Sequence, residues 1–282
     1  MKKTLFPALS IGFALMLFFQ SLLPAQNGFC YFDEALQQML NNNPQMQQVL
    51  GYNEIQMQNM MNGDSQAIMN GVPYTIPVVF HVIHLGESVG IGSNISDTLL
   101  MQALNDLNND FMNTLGTDTD IQFCLAKRAP DGSPSTGINR RNGYGVGNYE
   151  TIGIAQGFND LQIKDLSIWP NRDYLNIWVV HSIAGPGTTY GFATFPGTAS
   201  AEDGIVLRAS GVGNSNFSHI ISHEAGHFLN LFHTFQGGTM TTCPPNSPNN
   251  CHNEGDRVCD TPPHKLIQGG CDSTGVNACD NT

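Results

Sequence analysis

Charged side chains are scarce in this sequence, and basic ones are the scarcest. Asp, Glu, Lys and Arg make up 12% of the 282 residues, with 11 basic side chains against 23 acidic ones and a net charge of −12. Nucleic acids and anionic membranes are bound by clustered basic side chains, because both carry dense negative charge. We therefore expect no nucleic-acid partner and no anionic membrane surface as a partner.

Long hydrophobic runs are also nearly absent, with one exception at the N-terminus. The apolar run 5–23 follows Lys2 and Lys3, and the small residue Ala25 comes shortly after it. This order is typical of a secretory signal. A membrane anchor is the alternative, because the run is near the lower limit for a membrane span. We expect residues 1–25 to be a signal peptide, and the mature protein to be secreted without stable membrane insertion.

The residues with the most chemistry lie in the stretch SHIISHEAGHFLNLFHTF, residues 218–235. Residues four apart lie on one face of an α-helix, so His223 and His227 can offer two nitrogens to one metal ion. Glu224 projects close to the same point. A catalytic zinc takes three protein ligands and keeps a fourth position for water, whose proton a nearby carboxylate can accept. The spacing predicts a zinc site in which Glu224 activates a zinc-bound water.

The third ligand is predicted to be His233. A continuous helix would place it on another face than His227, so the chain must turn between them. Asn230 lies midway, and asparagine accepts the left-handed conformation that ends many helices. The alternative is an amphipathic helix with incidental histidines, which the third histidine at this spacing disfavours.

These residues resemble a known family. H-E-x-x-H-x-x-G-x-x-H is the metzincin zinc signature, and HEAGHFLNLFHTFQGG followed by GDRVCDTPPH resembles the pappalysin and cytophagalysin branch, the ulilysin-like secreted proteases. Asn230 stands where glycine is usual. The resemblance runs from about Ile76 to the end of the chain. It implies a zinc endopeptidase acting on peptides or proteins, with residues 73–282 as its catalytic domain.

The fold that the resemblance implies is an α+β, metzincin-like zincin. It has a twisted mixed β-sheet with a backing helix and an active-site helix, above a loop-rich, disulfide-bonded lower subdomain. The apolar pattern agrees, because it predicts a helix and several strands before the active-site helix, whereas residues 131–149 are predicted as loop. The predicted strands are 76–83, 121–126, 174–180, 190–196 and 204–208, and the helix covers 96–112.

The strand at 190–196 has small residues and a terminal proline, which suit a sheet edge. In the family that the sequence resembles, this edge is the upper rim of the cleft, where an extended substrate adds as an antiparallel strand. A simple sheet edge is the alternative. The predicted substrate-binding residues of the rim are Gly191, Phe192, Ala193 and Thr194.

Residues 26–72 differ from the rest of the chain and are interpreted as a propeptide. They are rich in Gln and Asn, and no Lys or Arg lies between Lys3 and Lys127, so a trypsin-like protease cannot release them. Related zymogens place a propeptide thiolate on the open zinc position, and the resemblance implies this cysteine switch for Cys30. The alternatives are a disulfide partner or an incidental thiol.

Five of the seven cysteines lie in the loop-rich tail. In an exported chain they are interpreted as disulfides, with the pairing left open. A second zinc site using His252 or His264 is the alternative. The resemblance also suggests a calcium site, because oxygen donors lie close together in GDRVCDTP. The tail cysteines are Cys243, Cys251, Cys259, Cys271 and Cys279, and the candidate calcium ligands are Asp256, Asp260 and Thr261.

Two parts of the family pattern are missing. No N-x-M-D-Y-like methionine turn follows His233, and no tyrosine follows Tyr190. We therefore expect a C-terminally truncated chain or a divergent member, and we keep two alternatives. One is a catalytically impaired, zinc-containing binding or adhesion module, and the other is a hydrolase acting on something other than peptides. Nothing in the sequence indicates an oligomeric state.

Overall fold

A computed structural model places most of the chain between Cys30 and His264. The predicted signal peptide lies outside the described residues. Within them, no helix is both long and apolar enough to cross a membrane. The described residues are 30, 32–43, 45–62, 74–112, 119–185, 188–195, 201–239, 241–244, 251, 255–259, 261–262, 264–266 and 279.

One mixed sheet organises the described part of the chain. Its strand order is β2-β1-β4-β6-β5, and β3 pairs with β1 off this path. Every pairing is parallel except that between β5 and β6. The α+β prediction with a twisted mixed sheet is therefore confirmed. The strands are β1 (Tyr74–His84), β2 (Ile121–Leu125), β3 (Ile138–Asn142), β4 (Leu175–Val180), β5 (Gly191–Ala193) and β6 (Ile205–Arg208).

Strand β3 was not predicted, because its residues were assigned to a loop. Its sequence INRRN has one apolar residue, so no hydrophobic alternation marks it as a strand. It forms because β1 is long. The first half of β1 pairs with β2, and the second half, Phe80 to His84, pairs with β3 along the same edge. Here tertiary pairing determines the structure rather than local propensity.

Helices cover both faces of the sheet. The helix α3 (Asp97–Phe111) begins at Ser96, whose side chain accepts a hydrogen bond from the Leu99 backbone. Its buried residues pack in one core cluster with α6 (Ile220–Phe228) and with β1, β4 and β6. The short helices α4 (Tyr149–Ile152) and α5 (Asp160–Asp165) lie in a second cluster around Trp178. The sheet thus holds α6 beside β5.

Residues 26–72, called the N-terminal segment below, contain two helices, α1 (Phe32–Asn42) and α2 (Gln45–Asn62). The interval between them contains Pro44, where the sequence predicts an interruption. Their apolar faces form a third cluster with Phe195, which lies two residues after the end of β5. The N-terminal segment therefore packs on the edge of the sheet that was predicted to bind substrate. Its contributions to this cluster are Phe32, Leu36, Met39, Met46 and Leu50.

The tail contains the predicted disulfides, in the pairs Cys243–Cys279 and Cys251–Cys259. Cys271 lies outside the described residues. The two cysteines before the tail, Cys30 and Cys124, carry free thiols. The disulfide alternative for Cys30 is therefore not the one that forms.

Candidate metal centre

The turn after α6 takes the predicted course. The helix ends at Phe228, and the backbone of Asn230 has a φ of 74°, in the left-handed region. This conformation reverses the chain direction, so that His233 lies beside the first two histidines instead of on the far side of the helix. Asparagine tolerates this region better than other side chains do.

The three histidines bring their Nε2 atoms together at one point. The distances are 3.1 Å between His223 and His227, and 3.2 Å from each of these to His233. Three nitrogens about 2.0–2.1 Å from a tetrahedral ion lie about 3.3 Å apart. The spacing of this donor set therefore fits a zinc-sized ion.

A fourth ligand atom completes the cluster. The Cys30 Sγ lies 3.7 Å from the Nε2 of His227, and all four ligand atoms lie within 4.8 Å of one another. Around a tetrahedral zinc, sulfur at about 2.3 Å and nitrogen at about 2.05 Å are about 3.6 Å apart. The structure thus brings the candidate switch cysteine, some 190 residues away in sequence, into the same cluster as the three histidine nitrogens.

Two of the ring orientations are fixed by hydrogen bonds on the opposite ring nitrogen. The Nδ1 of His227 lies 2.7 Å from the Leu231 carbonyl, and the Nδ1 of His233 lies 3.2 Å from a carboxylate oxygen of Asp33. Both partners accept, so each Nδ1 carries the proton and each Nε2 keeps its lone pair for a metal. Such outer hydrogen bonds are usual around ligating histidines.

Burial disfavours the protonated form of His223 and His227, and the neutral form is the one that binds metals. It lowers the pKa of His223 to about 4, with a further contribution from the neighbouring His233. It lowers the pKa of His227 to about 2, again with contributions from the other two histidines. The imidazoles of His223 and His227 are therefore poor proton acceptors and remain available as cation ligands.

Glu224 is fully buried beside the histidines. Neither of its carboxylate oxygens has a hydrogen-bond partner among the described residues. Burial raises the pKa of this carboxyl to about 8, and the nearby Cys30 thiol partly offsets that rise. The geometry of the contact between the thiol and the carboxyl is not that of a normal hydrogen bond. An unpartnered buried carboxylate is costly, so its retention here indicates a ligand or water that the site is built to receive.

Gly191 makes room for that carboxylate. A Cβ added at Gly191 would lie 2.8 Å from both the Cγ and the Oε1 of Glu224. Real Cβ atoms do not approach so closely, so a larger residue at 191 would displace the Glu224 side chain. The role of glycine here is steric and was not part of the sequence prediction.

Cys30 also pairs with the predicted rim. It forms a parallel bridge with Gly191, and its Sγ accepts a hydrogen bond of 3.4 Å from the Phe32 backbone. Burial, and then the negative charge of Glu224, raise the pKa of the thiol well above its usual value. A bound divalent cation acts in the opposite direction, because it stabilises the thiolate.

The four predicted rim residues do not all face the open edge of the sheet. The Thr194 backbone donates to the carbonyl of Gly204, the residue before β6, and its hydroxyl contacts the backbone at residues 202 and 204. Residues alternate along an antiparallel pair, so Phe192 also turns its backbone towards β6, and its side chain is in the core. Gly191 and Ala193 are left to present their backbone groups outward.

The structure describes two of the three candidate calcium ligands, Asp256 and Thr261. An Asp256 carboxylate oxygen accepts a hydrogen bond from the Val258 backbone, and Thr261 donates from its backbone to the Val258 carbonyl. Asp260 lies outside the described residues. The candidate second-zinc residue His264 instead contacts the Thr234 hydroxyl and the Phe235 ring. The calcium site stays a prediction.

Comparison with known proteins bears on this centre. The M43 peptidase family model, described as pregnancy-associated plasma protein-A, matches residues 157–282, which include α6 and all three histidines. Residues 157–282 are therefore similar to a pappalysin-type metalloprotease domain. The metzincin resemblance of the motif is thereby confirmed, and the histidine cluster lies within the matched region.

The curated relatives that this chain matches include fungal extracellular metalloproteases. An extracellular metalloprotease of Colletotrichum graminicola is 27% identical over 218 residues, covering 73% of this chain and 64% of the relative. A second one from the same fungus is 31% identical over 212 residues, covering 71% and 62%. The chain thus spans less than two thirds of the length of these two relatives.

Two solved structures share the pappalysin-type fold. A promirolysin mutant of Tannerella forsythia superposes with a TM-score of 0.59 at 25% identity, covering 86% of this chain and 77% of that one. Mature mirolysin in complex with a cleaved peptide superposes with a TM-score of 0.52 at 27% identity, covering 72% and 74%. Both support the metzincin-like fold.

Sequence reasoning missed two residues of the N-terminal segment. Phe32 stacks on the His227 ring with centroids 3.7 Å apart, and Asp33 contacts His233. Their only sequence signal is their position directly after Cys30. A cysteine that reaches the metal centre necessarily brings its neighbours with it.

Proposed function

We propose that the chain is a secreted zinc endopeptidase in its latent form. His223, His227 and His233 hold the zinc, and Glu224 is the general base. The observation that carries the proposal is the convergence of three histidine Nε2 atoms at 3.1–3.2 Å beside a buried, unpartnered carboxylate. A metal-binding scaffold alone needs the histidines but not the carboxylate, so Glu224 favours hydrolysis over a purely binding role.

The residues divide the chemistry between them. When bound, zinc supplies an electrophile that polarises the peptide carbonyl and lowers the pKa of water. Glu224 accepts the proton from the attacking water and then donates it to the amine nitrogen that leaves. Its burial favours this exchange, because a carboxylate without fixed partners takes and returns a proton more readily than one held by several hydrogen bonds.

The substrate lies along β5. An extended peptide adds to the free edge through the backbone groups of Gly191 and Ala193, antiparallel to the strand. Mature mirolysin was solved with a cleaved peptide, which supports a peptide substrate for this related domain. Two of the four predicted rim residues are therefore left to bind substrate, Gly191 and Ala193. The other two, Phe192 and Thr194, direct their backbone groups towards β6.

The N-terminal segment keeps the enzyme latent. Cys30 places its sulfur on the fourth ligand position. Its backbone pairs with Gly191 in the parallel direction, whereas a substrate would pair with β5 in the antiparallel direction. The match to promirolysin covers 86% of this chain and the match to mature mirolysin covers 72%, which supports a propeptide at residues 26–72. Signal cleavage after residue 25 and export agree with the extracellular relatives.

Replacing the base tests the mechanism. We expect Glu224→Gln to lower peptide hydrolysis by about 10²–10⁴-fold while zinc content stays at one equivalent. The protein is loaded with zinc and its N-terminal segment is released by a protease that cuts at uncharged residues. Hydrolysis of a peptide mixture and zinc content are then measured.

The matched control is Glu150→Gln, whose carboxylate binds the Gly145 backbone away from the metal site and should leave hydrolysis unchanged. Near-native hydrolysis by Glu224→Gln would contradict the mechanism. A native protein that binds zinc and peptides but cleaves none would instead identify a binding module.

A further inference from the structure

Phe32 fills an apolar pocket next to the metal centre. Its ring is almost fully buried, lies parallel to the His227 ring at 3.7 Å, and meets the Phe195 ring edge-on at 4.7 Å. It also lies edge-on to His233 at 5.7 Å. An aromatic side chain therefore sits against two of the proposed zinc ligands.

The walls of this pocket belong to the metalloprotease domain. Phe195 lies two residues after the end of β5, and Phe232 directly precedes His233. The ring centroids of these two phenylalanines are 4.7 Å apart. The guanidinium of Arg257 lies 4.5 Å above the Phe232 ring and also pairs with Glu54 of α2. Phe232 contacts both Phe195 and Arg257 without the help of Phe32, so we expect the pocket to persist when the N-terminal segment leaves.

Strand direction tells which part of a substrate reaches the pocket. Cys30 pairs with Gly191 in parallel, so the residues after Cys30 run in the same direction as β5, towards Phe195. A substrate antiparallel to β5 runs the other way past the same metal centre. Its residues on the amino side of the cleaved bond then lie where Phe32 lies now.

We infer that Phe195 and Phe232 form a specificity subsite for an aromatic or large aliphatic side chain on the amino side of the cleaved bond. This inference rests on the proposed function, and it adds the class of peptide that the enzyme prefers. Phe32 occupies the subsite in the latent form, so the N-terminal segment blocks substrate side-chain recognition as well as the metal.

Paired peptides test the subsite. Zinc-loaded protein with its N-terminal segment released is given peptides that differ only in carrying Phe or Ala at one of the three residues before the cleaved bond. We expect Phe to raise kcat/KM by about tenfold or more at one position, as a filled apolar pocket does. Equal kcat/KM values at all three positions would overturn the inference.

Variants of the walls link the preference to the pocket. In the Phe232→Ala and Phe195→Ala variants, kcat/KM for the Phe peptide divided by kcat/KM for the Ala peptide should fall to near one. The control is Phe158→Ala, at an exposed phenylalanine, which should keep the native ratio. Since Phe195 is fully buried, its replacement by alanine can destabilise the fold, so the milder Phe195→Leu is included. This variant should lower kcat/KM for Phe peptides relative to kcat/KM for Leu peptides. A native ratio in Phe232→Ala and Phe195→Leu would contradict the assignment.

A binding measurement separates this inference from the proposed function. The same peptide pairs are titrated into zinc-loaded Glu224→Gln protein, also with its N-terminal segment released. Tighter binding of the Phe peptide without any hydrolysis by the native protein supports the subsite and refutes the endopeptidase. Hydrolysis without a preference, together with equal binding, refutes the subsite and leaves the endopeptidase standing.

Discussion

The metal centre has two sides that are built in different ways. One side is a single continuous stretch, in which α6 and the following turn supply His223, Glu224, His227 and His233. The other side is assembled from distant segments, with Cys30 and Asp33 from the N-terminal segment and Gly191 from the sheet edge. The continuous side supplies the chemistry, and the assembled side controls the space and access around it.

This difference separates what must be permanent from what must be removable. The proposed ligands and the proposed base lie within eleven residues, so we expect the histidines to stay together without any contact from the N-terminal segment. The proposed lock is Cys30, which lies on the N-terminal segment. The apolar face of this segment packs on Phe195 and Phe232, and we propose that a substrate contacts the same two residues once the segment has left. Substitutions on the two sides should therefore have different consequences.

Apart from replacement of the proposed base Glu224 itself, the largest expected effect is at the sheet edge. We expect Gly191→Ala to lower kcat by about 100-fold with zinc retained, because the added Cβ displaces the Glu224 carboxylate and a misplacement of about 1 Å can cost this much. The measurement is steady-state peptide hydrolysis together with zinc content. Gly226→Ala is the matched control, because its Cβ meets nothing closer than 3.8 Å. Unchanged kcat in Gly191→Ala would show that Glu224 does not depend on the assembled side.

A smaller effect is expected at Asp33, and only in the latent protein. Asp33→Asn weakens the acceptor for the His233 Nδ1 proton, so the zinc affinity of the full chain should fall by about tenfold. Competition with a chelator measures it, and Asp131→Asn on an exposed loop is the control. After release of the N-terminal segment, Asp33→Asn and native protein should bind zinc equally. A difference that persists after release would mean that Asp33 acts on folding instead.

The smallest effect is expected on the continuous side, at the turn. Asn230→Ala should lower the free energy of unfolding by about 1 kcal/mol, because alanine is less favourable than asparagine in the left-handed region. Asn230→Gly should lie closer to the native value, since glycine adopts this region freely. Chemical denaturation of the metal-free variants measures both. Equal free energies of unfolding of the two variants would show that the left-handed backbone conformation at residue 230 is not the source of the stability difference.

The continuous side could be predicted from the sequence because its geometry is local. Helical spacing places His223 and His227 on one face, and the left-handed Asn230 returns His233 to it. The central strands β1 and β4 were predictable for a similar reason, since their apolar runs are buried in the sheet. In each case the residues that matter are neighbours in the chain.

The assembled side could be predicted only in part. Cys30 was singled out through family resemblance, because nothing near it indicates a metal ligand. Phe32 and Asp33 acquire their roles through contacts with residues about 200 positions away, and the steric role of Gly191 depends on a helix 30 residues later. Strand β3 was missed likewise, because the edge of β1 determines it and its own sequence does not.

The most direct test is X-ray absorption at the zinc edge of the zinc-loaded full chain before release of the N-terminal segment. We predict one sulfur at about 2.3 Å and three nitrogens at about 2.0–2.1 Å around the zinc. In Cys30→Ala the sulfur contribution should disappear while zinc stays bound. A first shell of nitrogen and oxygen alone in the native latent chain would contradict the proposed lock, and a shell with several sulfurs would contradict the three-histidine site itself.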